Sequence, residues 1–401
     1  MKFIINLFLF CITYSNAISW LHISDIHLDT RYNIGSANKC LVGTKLGTLC
    51  CRKYDIPLNN SQPCNKYGDL NNDVPVFLLD SIVKWIKDNI EFDFIINTGD
   101  SGSHHDIEQV FTNDNFNSIK EVSYIFDKYY PNVPIYNIVG NHDSYPNVDQ
   151  TFPGYKNFLK ETTNFWKKWI EDINLVKYGY YSKNINNNIK IIGMNSLYYD
   201  TNNLFQVNDY KKDIEVTNGQ FLWLKNELND SRIKKQKVLF LNHIPLMGSE
   251  SNNYMNTNLA SILENNNDII IANLYGHSHK SRFTLYKKNN KFISYGLINP
   301  SIYTDQKYPQ FRIYNYKNNI LNFKEYYCNL TYIIENDDFK CEYSYDFLEE
   351  YGIDTINLSN LTYLYEKFKI NKLLLNKYKK HYSPPQNNNK INYISEILNR
   401  I

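Results

Sequence analysis

Val139-Gly140-Asn141-His142-Asp143 is the stretch on which the reading of this chain turns. An apolar run, Ile135 to Val139, leads into it. A glycine then permits a tight turn, and an amide, an imidazole and a carboxylate follow at once. Buried strands end this way when they deliver polar side chains to a site at the end of a sheet. Alone, Gly-Asn-His-Asp is short, and an ordinary strand-to-turn exit also satisfies it. Four more clusters of the same kind give it weight. Asp25-Ile26-His27 follows Ile18 to Ser24, and Thr98-Gly99-Asp100 follows Phe92 to Asn97. Asn242-His243 follows Lys237 to Leu241, and Gly276-His277-Ser278-His279 follows Ile269 to Leu274.

Between these strands the apolar spacing predicts helices. Val76 to Asn89 has helical spacing at Phe77, Leu78, Ile82, Trp85 and Ile86, and Thr217 to Leu228 repeats Phe221, Leu222, Leu224 and Leu228 on one face. Asp106 to Tyr129 reads as an interrupted helix, Tyr155 to Asp172 as a helix, and Tyr178 to Tyr181 and Ile189 to Asn195 as strands. Further strands are expected at Phe292 to Gly296, Gln310 to Tyr316 and Ile320 to Tyr326. Alternating strands and helices imply an α/β core, and the later run of strands an antiparallel edge. Beyond about Cys341, Tyr345 to Glu350, Leu358 to Leu375 and Ile391 to Leu398 look helical.

At 401 residues the chain can bury a large core. A net charge of +2 gives no global field for a nucleic-acid polymer or an anionic membrane. Lys2, the apolar run Phe3 to Ile12 and Ser15-Asn16-Ala17 read as a secretory leader cut after Ala17. Export then leaves Cys40, Cys50, Cys51, Cys64, Cys328 and Cys341. Their even number suggests disulfides. Cys328 is expected to pair with Cys341, with two bridges among the first four and none between adjacent Cys50 and Cys51. Sequons at Asn59, Asn229, Asn329, Asn357 and Asn360 fit a glycoprotein in an extracellular or lysosome-like compartment.

The chain has nine histidines, and His27, His104, His142, His243, His277 and His279 all lie in or just after these strand exits. Exits along one sheet edge can converge on a single site. Two aspartates, an asparagine and several histidines offer the mixed oxygen and nitrogen ligands that divalent metals take. They are too many for one tetrahedral zinc with an open position. They suit two metals about 3.5–4 Å apart sharing a carboxylate, a geometry used for displacement at phosphorus.

The blocks Asp25-x-His27, Gly99-Asp100, Gly140-Asn141-His142-Asp143, His243 and Gly276-His277-x-His279 resemble the calcineurin-like metallophosphoesterase superfamily. Within it, His22 to Asp29 and the His104 placed four after Asp100 are most similar to the acid sphingomyelinase-like phosphodiesterases. Purple acid phosphatases share the Gly-His-x-His block but need a Tyr where this chain has Ser103. The resemblance implies a β-sandwich flanked by helices over 18–340, with a helical C-terminal region over 341–401. It implies Asp25, His27 and His279 on a first metal, Asn141, His243 and His277 on a second, and Asp100 bridging both. It suggests zinc in each position, where the ligand types alone also admit manganese, iron or magnesium. His142, beside a ligand, is the expected general acid. His104 is expected to bind phosphoryl oxygens or assist the proton transfer. Asp143 is expected to orient a neighbouring histidine or its own loop, and His22 to be structural.

Few residues separate the expected leader from the Asp25 block, leaving no room for the lipid-lifting saposin domain of acid sphingomyelinase. In that respect the chain resembles the sphingomyelinase-like phosphodiesterases, and the resemblance implies a small soluble phosphorylated substrate such as CTP or ATP; a monomer is expected. The alternative is sphingomyelin, with the Lys-rich segment Lys367 to Lys380 touching a membrane surface. A catalytically dead secreted binding protein is the alternative of another class.

Overall fold

The computed structural model describes residues 17–42, 45–46, 50–69, 72–104, 114–143, 155–304 and 308–382. The expected leader up to Asn16 and the segment Ile391 to Leu398 lie outside these residues. Strands β1 (Ile18–Ile23), β2 (Phe94–Asn97) and β3 (Ile135–Asn137) begin a first sheet. The chain then builds a second sheet from β4 (Tyr181–Asn184), β5 (Ile189–Gly193), β6 (Lys237–Leu241), β7 (Ile270–Tyr275), β8 (Arg282–Lys288) and β9 (Lys291–Ile298). It returns to the first with β10 (Gln310–Lys317), β11 (Ile320–Tyr327) and β12 (Glu342–Asp346). The strand orders are β12-β11-β10-β1-β2-β3 and β8-β9-β7-β6-β5-β4. The strands that carry the histidine and aspartate clusters are parallel to one another within each sheet, so their carboxyl ends collect at one edge.

Period-two alternation divides the first sheet between two cores. Trp20, Phe94 and Tyr314 join the core shared with the second sheet, while Leu21, Ile23 and Phe311 face the core that buries Leu78, Ile82 and Ile86. Those last three lie on the helix Val76–Asn89, which has the bounds its apolar spacing predicts. Helices Gln220–Ile233, Asn253–Glu264 and Leu358–Ile370 contact the second sheet. The last helix, Lys372–Tyr382, buries Leu375 and Tyr378 in the shared core. No described helix is long and apolar enough to cross a membrane.

Three expectations need correction. Tyr178 ends a helix, Ile173–Tyr178, capped by the Asp172 side chain and closed by Gly179 in the left-handed region; the strand starts only at Tyr181. The segment from Tyr345 is split between β12 and a short helix, Phe347–Tyr351, that Asp346 caps. The expected helix Leu358 to Leu375 is broken at Asn371 into Leu358–Ile370 and Lys372–Tyr382, and the strand Arg282–Lys288 and the helix Asn253–Glu264 were not expected. The cysteines pair as Cys40–Cys50, Cys51–Cys64 and Cys328–Cys341, within the expected pattern.

Candidate metal centre

All five expected blocks meet where the two sheets' strand ends converge. Asp25, His27 and His279 form one group able to hold a cation, and Asp100, His243 and His277 form another; in each, the donor atoms lie within 4.8 Å of one another. Asp100 joins them. Its Oδ2 lies 3.2 Å from His243 Nε2 and 3.7 Å from His27 Nε2. Its Oδ1 is engaged elsewhere, accepting the His142 amide at 2.8 Å. Asn141 completes the second group, with Oδ1 2.9 Å from both His243 Nε2 and His277 Nδ1.

The backbone is bent to bring these atoms together. Asp25, His27, Asp100, His277 and His279 all have positive φ, between 48° and 72°. Each such residue costs on the order of 1–3 kcal/mol and persists only where its surroundings enforce it. Here the exits are tied to one another. Asp25 N donates to Gly99 O, Ile26 N and His27 N to Asp100 O, and His277 N to Asp25 Oδ1 at 2.8 Å. Gly140 is required by this closeness, because a Cβ there would run into Asp100; one on Gly276 would run into Ser24. Asp143 clamps its own loop to the Asp100 loop by accepting from Gly140 N, Gly102 N and Asp100 N at 2.7, 2.8 and 3.1 Å. Burial and then the Asp100 charge push its carboxyl up to about 7 against those three donors. It holds its loop, as expected, and His22 is buried against Thr98 Oγ1 at 3.0 Å.

Hydrogen bonds on the far side of each ring select which nitrogen faces the cluster. His27 Nδ1 bonds Gly102 O at 3.1 Å and His243 Nδ1 bonds Thr98 O at 2.7 Å, so both turn Nε2 inward. His277 does the reverse: Nε2 meets Glu250 Oε2 at 2.7 Å, and Nδ1 turns inward. Burial and the neighbouring His104 hold His27 well below its usual range, so its Nε2 is a bare lone pair only 3.1 Å from His279 Nε2. Burial alone would lower His243, but the Asp100 carboxylate lifts it to about 10. Converging lone pairs and carboxylate oxygens, oriented from behind, fit a pair of divalent metal ions.

His104 and His142 stand beside the ligands. Their ring centroids are 4.5 Å apart, and His104 stacks on His27 at 3.9 Å. Tyr303 packs edge-on to His27 and His279. Sequence reasoning missed Tyr303, Glu250 and Asp73, whose carboxylate bonds His104. All three lie in loops, where no periodicity or motif marks them. Glu250→Ala removes the partner that orients His277. Affinity for one of two cations is expected to fall about 10–100-fold, measured by metal titration of the stripped protein.

A calcineurin-like phosphoesterase profile matches residues 18–281. The chain is 28% identical over 370 residues to sphingomyelin phosphodiesterase A of Dictyostelium discoideum, covering 89% of this chain and 61% of that protein. It is 28% identical to sphingomyelin phosphodiesterase 2 of Caenorhabditis elegans, covering 92% and 65%. It is 27% identical to the cyclic GMP-AMP phosphodiesterase SMPDL3A of Homo sapiens, covering 87% and 79%. The chain thus spans less than two thirds of the first two relatives.

Proposed function

The chain belongs to the calcineurin-like phosphoesterase family, and from that premise we propose that it is a dinuclear metal-dependent phosphodiesterase. Its substrate is a small phosphorylated molecule, a nucleotide such as CTP or ATP being the preferred class. The reading is carried by Asp100 Oδ2, which lies within 3.7 Å of an imidazole nitrogen of each ligand group. Asp25, His27 and His279 would hold one cation and Asn141, His243 and His277 the other, with Asp100 placed between the two groups. Zinc suits this set, since imidazole and carboxylate share it. The three disulfides support an exported protein.

Two bound divalent cations supply a water acidified toward neutrality and offset the charge of the phosphoryl oxygens. The side chains do the rest. His142 is fixed by its backbone, whose N–H bonds Asp100 and whose carbonyl accepts from Asn115 Nδ2 at 2.8 Å. It gives a proton to the leaving oxygen. Burial holds His142 at about 3 in the free protein, and an anionic substrate beside it raises that value. His104 turns its Nε2 toward the reacting group and assists that proton transfer, a ring nitrogen of His104 lying within 4.8 Å of one of His142.

A panel of CTP, ATP, a bis-nitrophenyl phosphodiester and liposomal sphingomyelin tests this reading. Turnover of the nucleotides is expected, with loss on chelation. His142→Ala is expected to cost about 10²–10⁴-fold where the leaving group is poor, and less for nitrophenolate, which departs without a proton. Undiminished rates would remove His142 from its role. Turnover of sphingomyelin alone would favour the second reading, which two relatives' names support. Exposed Ile370 and Leu373 beside Lys372 would then be the membrane contact. A dead binding protein would hold no metal and stay inert when zinc is returned.

A further inference from the structure

Asp73 sits outside every motif, yet it grips a histidine of the site with both carboxylate oxygens. Its Oδ2 accepts the His104 amide at 2.7 Å, and its Oδ1 meets His104 Nδ1 at 2.7 Å. The carboxylate side chain is 1% exposed. A carboxylate on Nδ1 holds the proton there, so Nε2 is the nitrogen His104 offers on its other side. A ring nitrogen of His104 lies within 4.8 Å of ring nitrogens of both His27 and His142.

What fixes Asp73 is the disulfide-pinned excursion. On one side of it, Asn72 Oδ1 accepts Cys50 N at 3.0 Å, Asn72 Nδ2 donates to Asn38 O, and Asn72 O accepts Thr304 Oγ1. On the other, Val74 N donates to His27 O at 2.9 Å, and Val74 pairs with Leu28. Arg52, next to Cys51 of the second bridge, is buried and bonds Asp29 Oδ2 at 2.9 Å through Nε. The carboxylate is therefore held between the cystine-closed loop and the strand exit that carries a metal ligand.

We propose that Asp73 is a positioning residue for the reaction: it sets the tautomer and direction of the His104 imidazole, and the disulfide-closed loop is its mount. The inference rests on the phosphodiesterase reading, in which His104 assists the proton transfer beside His142. Asp73 acts only through His104, which makes the claim separable from a merely structural one.

The test is a double-mutant cycle with the metal-loaded full chain and a phosphodiester with an alkyl leaving group. Asp73→Ala is expected to lower kcat about 10–100-fold, with KM nearly unchanged and two cations retained. In a His104→Ala background the same change is expected to do nothing further. Asp73→Asn is isosteric. It can keep the bond from Nδ1 but sets an N–H against the His104 amide, so an intermediate loss is expected. Equal losses with and without His104 would overturn the proposal. Selective ¹⁵N-histidine labelling gives an arm independent of turnover. His104 is expected to carry its proton on Nδ1 in the wild type and to lose that preference in Asp73→Ala. An unchanged tautomer would overturn the proposal, whereas a metal-loaded wild type that hydrolyses nothing would overturn only the phosphodiesterase reading.

Discussion

Asp100→Asn is expected to lower turnover of every phosphodiester substrate about a thousandfold, or about 4 kcal/mol of transition-state stabilisation. The outer partners of metal ligands typically cost about 10–100-fold when removed, and Asp100 stands inside them. Its Oδ2 lies within 4 Å of imidazole nitrogens from both groups, His243 Nε2 and His27 Nε2. Asparagine keeps the oxygen that accepts the His142 amide but gives up the charge. The histidines around it pull the Asp100 carboxyl well below its usual range against burial, so the native group is charged. Without that charge two cations at close range repel each other unrelieved. Steady-state kinetics and metal content check both consequences, and the far-ultraviolet spectrum should not move.

The second large effect is on stability. Arg312→Met is expected to cost about 3–5 kcal/mol, because it leaves Glu325 buried without its counter-charge. Arg312 and Glu325 face each other across β10 and β11. Nε bonds Glu325 Oε2 at 2.9 Å, with both side chains no more than 2% exposed. Arg312 Nη2 also donates to Ser281 Oγ at 2.8 Å, and Ser281 donates to Glu325 at 2.6 Å. Ser281 leads into β8, so the cluster ties one sheet to the other two residues beyond His279. Replacing both charges with methionine is expected to restore most of the loss, since a buried pair contributes little beyond an apolar one of similar volume. Equilibrium urea unfolding of the wild type and the two variants checks both statements.

The site was legible because its chemistry sits at strand exits. Lys237 to Leu241 is a short apolar run whose end is fixed by Asn242 and His243, and the strand has those bounds. The same reading located the blocks at Asp25, Asp100, Asn141 and His277, since a change from apolar to polar residues is written locally. What acts across the fold is not written locally. Asp73 and Glu250 are single acidic residues in loops. Only the pairing of Val74 with Leu28, and the approach of Glu250 to His277, give them a role. The Arg312–Glu325 pair depends on cross-strand register, and alternation along β10 or β11 does not carry it. At Tyr178 aromatic content suggested a strand, but Asp172 and Gly179 cap a helix there.

Anomalous diffraction from metal-loaded crystals tests the central claim most directly. Two divalent cations are expected per chain, about 3.5–4 Å apart, with a carboxylate oxygen of Asp100 bound to both. A single cation, or two that do not share Asp100, would contradict it.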